Sequence, residues 1–92
     1  CYLLASLKQL YPAARIYNIT NSELSEEVTV SMDDKTSVVY TNLTTVLVNV
    51  GDKVDANSLL GKYDEQYQAS ILQEGEVVKQ VVGSETQLTW EI

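Results

Sequence analysis

Histidine and phenylalanine are missing from this chain, and cysteine, proline, methionine and tryptophan each occur once in 92 residues. Histidine is the usual general base at neutral pH and the commonest metal ligand. Its absence excludes serine and cysteine triads and histidine-based zinc sites. A single cysteine, Cys1, excludes a disulfide within the chain. No apolar run approaches the roughly 20 residues that span a bilayer as a helix. Basic residues are scarce, 6 against 13 acids, for a formal charge of −7. Such a charge disfavours nucleic acid and anionic membrane surfaces and keeps the chain soluble. There is no glycine-rich phosphate loop, Lys62 and Lys79 stand alone, and no acidic cluster has calcium-loop spacing.

What is present reads as one small domain with a modest core, 45% hydrophobic and 21% charged. Leu3, Leu4, Leu7 and Leu10 recur at helical spacing, which predicts a short N-terminal helix over 1–11 that Pro12 ends. An isolated helix of that length is marginal in water, so it must cover a sheet or a neighbour. From Arg15 onward, β-branched and tyrosine-rich runs alternate with Asn, Asp, Ser and Gly. They predict strands at 15–20, 27–32, 36–40, 44–50, 59–63, 66–73, 76–82 and 87–92. Asp33-Asp34-Lys35, Gly51-Asp52 and Gly75 supply the reversals. The fold expected is therefore all-β, a short helix plus about eight strands in a sandwich or barrel. Residues 1–14 form the helix and connection, and 15–92 the β domain.

Few residues carry chemistry. Cys1 reads as a chain boundary or as a lipid-bearing lipoprotein cysteine, although Tyr2-Leu3-Leu4-Ala5 is unlike a polar tether. Asn18-Ile19-Thr20 and Asn42-Leu43-Thr44 match the N-glycosylation pattern, a common chance triplet. A carboxylate-only glycosidase would need two acids at fixed separation, with Glu74 and Glu91 as candidates. The acids instead fall in turns (Asp33, Asp34, Asp52, Asp55, Asp64) or at strand edges (Glu74, Glu76, Glu91), the pattern of solvated surface groups. The tyrosines and Trp90 are the large side chains available, for core packing or for an aromatic patch that stacks on sugars.

Residues 28–61 run Val-Thr-Val-Ser-Met-Asp-Asp-Lys-Thr-Ser-Val-Val-Tyr-Thr-Asn-Leu and continue through Val48-Asn49-Val50-Gly51-Asp52-Lys53-Val54 to Leu60-Gly61. This stretch resembles the β-core of the lysostaphin/LytM-type peptidoglycan zinc endopeptidases. In that family a Tyr-x-His-Leu motif precedes a V-x-V-G-D-x-V-x-x-G-x-x-I-G segment, here with Asn57 in place of glycine. Gln87-Leu88-Thr89-Trp90-Glu91-Ile92 is similar to the family's His-Leu-His-Phe-Glu-Ile strand. The likeness covers about two-thirds of the chain in the family's order and implies a half-barrel of the barrel-sandwich hybrid type. It also implies where catalysis would have been lost. Asn42 stands at the histidine that polarises the scissile carbonyl, Gln87 at the assisting histidine, and Thr89 at a zinc ligand. The upstream His-x-x-x-Asp pair has no counterpart, since neither residue type occurs before Met32. Asn, Gln and Thr can hydrogen-bond in a groove but are poor zinc ligands.

The expectation is thus a non-catalytic LytM-like binding, scaffold or regulatory module of a bacterial cell envelope, periplasmic or extracellular. It needs no metal and no cofactor. Its partner is a protein or peptidoglycan and not nucleic acid, with membrane attachment only through a lipidated Cys1 or a segment outside this chain. The alternative is a lipoyl- or biotinyl-type carrier or membrane-fusion adaptor half-barrel, with Lys35 in a hairpin turn. Asp34 and Thr36 beside it depart from the Met-Lys-Met pattern of such carriers.

Overall fold

The computed structural model describes residues 2–5, 13–55 and 58–83. These residues are all-β, with eight strands among them in two antiparallel sheets: β1 (Tyr2–Leu4), β2 (Arg15–Asn21), β3 (Glu26–Ser31), β4 (Thr36–Leu43), β5 (Thr45–Val46), β6 (Leu59–Lys62), β7 (Tyr67–Gln73) and β8 (Glu76–Gly83); the predicted strand over 87–92 lies outside the described residues. The larger sheet runs β2-β3-β4-β7-β8 and the smaller β1-β6-β5.

The larger sheet follows from period-two patterning. Val28 and Val30 on β3, Val38 and Tyr40 on β4, and Tyr67, Ala69 and Ile71 on β7 are all buried. Register aligns them into rows: Val30, Val38 and Ile71 in one, Val28, Tyr40 and Ala69 in the next. The opposite face alternates with them as Thr29, Val39 and Ser70, then Ser31, Ser37 and Leu72. With phenylalanine absent, tyrosines fill the centre. The Tyr40 and Tyr67 rings lie 6.2 Å apart, and Tyr63 meets Tyr67 edge-on at 5.1 Å. These spacings suit tilted aromatic pairs. Burial, and then the neighbouring Tyr63, pushes the Tyr67 hydroxyl above its usual pKa. No buried side-chain polar atom among the described residues lacks a hydrogen-bond partner.

Two turns have clear local causes. Asp33 accepts the backbone N–H groups of Lys35 (2.9 Å) and Thr36 (2.8 Å) through one carboxylate oxygen, closing the β3–β4 hairpin. Between β7 and β8, Glu74 (φ 54°) and Gly75 (φ 85°) both occupy the left-handed region, as a two-residue hairpin with matched twist requires. The two hairpin tips are tied together, because the Glu74 amide donates to the Lys35 carbonyl at 2.8 Å.

Register shifts resolve places where the apolar spacing breaks period two. Ile16 and Ile19 are three apart and both turn toward the core, opposite Val30 and Val28; the shift between Ile16 and Asn18 leaves Tyr17 unpaired. Tyr40 and Leu43 are also three apart and both buried. There the shift in β3–β4 pairing coincides with Asn42 at φ 64°. An extra residue in one strand keeps the apolar side chains on one face.

The smaller sheet joins segments distant in sequence. The predicted N-terminal helix is not what residues 2–4 form. They make β1, pairing with β6 through Leu3 and Gly61, and Ala5 N–H continues the contact by donating to the Ser58 carbonyl. Tyr2 is exposed and Leu3 buried, a strand alternation. The ladder to β6 supplies backbone partners from a neighbouring strand, whereas an isolated helix of about three turns is costly to nucleate and marginal in water. Leu7, Leu10 and Pro12 lie outside the described residues. The predicted strand over 44–50 shortens to Thr45–Val46, and Asn49 to Asp52 form a turn with Gly51 at φ 95°. That turn docks on β2: Gly51 N–H reaches the Ile16 carbonyl, Ile16 N–H the Asp52 carbonyl, and Val54 N–H the Ala14 carbonyl. Both sheets contribute to one core, with Leu3 and Leu60 joining the β3, β4 and β7 side chains.

Candidate functional site

Of the three positions singled out by the family likeness, Asn42 is described, whereas Gln87 and Thr89 lie outside the described residues, as do Cys1, Trp90 and Glu91. Asn42 sits at the end of β4, exposed, with a backbone conformation that Asn tolerates better than most residues. Its side-chain amide donates to the Gln66 carbonyl at 2.9 Å, bracing the entry to β7. The strand beside β4 on this side is therefore β7, with Thr41 opposite Gln68, and β3 occupies the other edge. Tyr40, two residues earlier, points into the core against Tyr67. Among the described residues no group of three or more His, Cys, Asp or Glu side chains could hold a metal ion.

Lys35 lies at the tip of the β3–β4 hairpin. Its side chain is exposed and its ammonium is 4.0 Å from the Glu74 carboxylate, also exposed. Such a pair is screened by water and contributes little. The Asp33 carboxyl is held below its usual range by the Lys35 amide first and the Thr36 amide second. The described acids of the turns, Asp33, Asp34, Asp52, Asp55 and Asp64, are all exposed, and so are Glu74 and Glu76. Asn18, the other glycosylation-pattern asparagine, is exposed on β2.

The same hairpin tips wall one end of a shallow open hollow of about 400 Å³ on the face of the larger sheet away from the core. Its floor carries Thr29, Ser31 and Ser37, and Tyr17 flanks it. Tyr17 is 71% exposed. No ring contact covers it among the described residues, whereas Tyr2, the other exposed described tyrosine, lies under the Lys62 ammonium at 5.1 Å. Sequence reasoning did not separate Tyr17 from the other tyrosines. The readable signal was the three-residue spacing of Ile16 and Ile19, which demands an irregularity at or beside Tyr17. Compared with protein-family models, with curated proteins and with solved structures, the chain matches none.

Proposed function

We propose that this chain is a non-catalytic LytM-like module that binds or scaffolds within a bacterial cell envelope, periplasmic or extracellular, on a half-barrel of the barrel-sandwich hybrid type. The observation that carries the reading is the role taken by Asn42. In place of a catalytic imidazole, its amide is committed to the Gln66 carbonyl and its backbone to the irregularity that lets Tyr40 and Leu43 share the core. The element order supports it: β3, the Asp33 hairpin and β4 ending in Tyr40-Thr41-Asn42-Leu43 lead to the Gly51-Asp52 turn and then to β6 with Gly61. The complete absence of histidine removes the machinery that the peptidases of this type use. The test is co-sedimentation of the purified domain with peptidoglycan sacculi, alongside a turbidity assay with added zinc. Binding without clearing is expected. Clearing of the sacculi, or no retention by sacculi or by any envelope protein fraction, overturns the proposal.

The carrier reading draws on one observation, the exposed Lys35 at a hairpin tip. Its distinguishing result is a lipoyl or biotinyl mass increment localised to Lys35.

A further inference from the structure

We infer that the hollow beside Tyr17 is a binding site for a neutral saccharide chain, with the tyrosine ring as a stacking platform and the hydroxyls of Thr29, Ser31 and Ser37 as hydrogen-bonding partners. The inference rests on the binding-module reading and names the ligand class of a surface that the family likeness does not mark. Three independent features meet at this place.

The first is the aromatic ring. Most large aromatics bury the bulk of their surface, as Tyr40, Tyr63 and Tyr67 do here. Tyr17 leaves 71% of its own in water. The second is the register shift. In an uninterrupted strand, Ile16 and Ile19 would point to opposite faces. The extra residue restores both to the core side and leaves Tyr17 flanking the hollow. A bulge of this kind re-aims a side chain and is stable only because neighbouring strands hold it. The third is the floor. Thr29, Ser31 and Ser37 project from adjacent positions on β3 and β4, with Ser31 directly opposite Ser37. Each hydroxyl has one donor and two acceptor sites; Ser31 already donates to the Asp33 carbonyl at 3.5 Å and offers its acceptor sites.

The lining selects the ligand class. Asp33, Asp34 and Glu74 wall one end of the hollow, and among the described lining residues Lys35 is the one cation, so phosphate-bearing ligands are repelled. The hydroxyl floor gives a purely apolar ligand nothing to match and would cost it desolvation of polar groups. A sugar ring satisfies both sides. Its axial C–H face covers the Tyr17 ring, and its equatorial hydroxyls exchange hydrogen bonds with the floor. It carries no charge for the acidic rim to oppose. The volume, about 400 Å³, lies in the range of ligand sites, roughly 300–1,000 Å³, and its openness suits a chain passing across it.

The test is calorimetric and NMR titration of the whole chain with cellohexaose and with chitohexaose. Wild type is expected to bind at least one, with amide shifts confined to Tyr17, Thr29, Ser31, Ser37 and the hairpin tips. Tyr17→Ala should weaken binding about tenfold, Tyr17→Trp should retain it, and Tyr2→Ala should leave it unchanged. Because Tyr17 is exposed, its removal leaves the core intact, and an unchanged melting temperature checks this. No binding of either oligosaccharide, or binding indifferent to Tyr17→Ala, overturns the inference. Sacculus retention by wild type that persists in Tyr17→Ala overturns it while leaving the parent reading standing. Absent retention of wild type by both sacculi and envelope protein fractions defeats the parent reading itself.

Discussion

The two sheets are built by different means. The five-stranded sheet is mostly hairpins: β2 to β3, β3 to β4 and β7 to β8 are neighbours in the chain, and only the β4–β7 pairing is long-range. Its rows of Val, Ile, Ala and Tyr form a wide apolar face, and its turns have their own chemistry. The three-stranded sheet takes residues 2–4, 45–46 and 59–62 from three separated segments, and its strands are two to four residues long. It exists because the larger sheet gives it a surface to pack on. Strands that short form no stable unit on their own. Stability should therefore be unequal, with the large sheet opening only globally and the small one opening locally.

The strongest way to break the comparison is at the centre of the larger sheet. Tyr40→Ala removes a fully buried ring packed on Tyr67 and should cost about 4 kcal/mol, collapsing both sheets together in one denaturant transition. A substitution that left the β1–β6 pairing protected would refute the dependence of the small sheet on the large one.

Gly61→Ala attacks the smaller sheet directly. A Cβ at Gly61 would collide with the Thr45 carbonyl oxygen, a backbone atom that cannot rotate away. The expected loss is about 3 kcal/mol. Amide exchange should accelerate first in β1, β5 and β6 and much less in β3 and β4. Uniform acceleration would show the sheets to be one cooperative unit.

Asn42→Ala should be milder. It forces an alanine into a left-handed conformation and deletes the bond to the Gln66 carbonyl, for about 1–2 kcal/mol in chemical denaturation. Asn42→Gly should recover part of that loss, which separates backbone strain from the lost amide.

The smallest effect concerns the Asp33 turn and acid. Because its folded pKa lies below the ordinary 3.8, the turn's contribution is complete above 3.8 and declines as pH falls through the folded value. Thermal melts between neutral and strongly acidic pH should show a slight drop that Asp33→Asn abolishes. An equal acid drop in the variant would assign it to other carboxylates.

The contrast between the sheets also marks what could be read in advance. Val28, Val30, Val38 and Tyr40 alternate so regularly that β3 and β4 were legible to within a few residues, as were β7 and β8 around Gly75. Residues 2–4 were not, because Leu3, Leu4, Leu7 and Leu10 fit a helical stripe and three residues cannot reveal a partner as distant in sequence as Gly61 is from Leu3. Asn42 was singled out by likeness to a motif, yet its visible work is to brace β7. Tyr17 stood among six tyrosines, and the three-residue spacing of Ile16 and Ile19 marked an irregularity beside it without revealing the face to which it turns.

The sequence by itself determined the chemistry that is closed to this chain and the class of its fold. Without histidine there is no imidazole to act as base or ligand, and period-two runs between turn residues have no stable home except in sheets. Only the tertiary structure decided the pairing of β1 with β6, the docking of the Gly51 turn on β2, and the faces to which Asn42 and Tyr17 turn. Those outcomes depend on backbone hydrogen bonds between distant segments and on single-residue register shifts. Neither is encoded in the identity of any one residue.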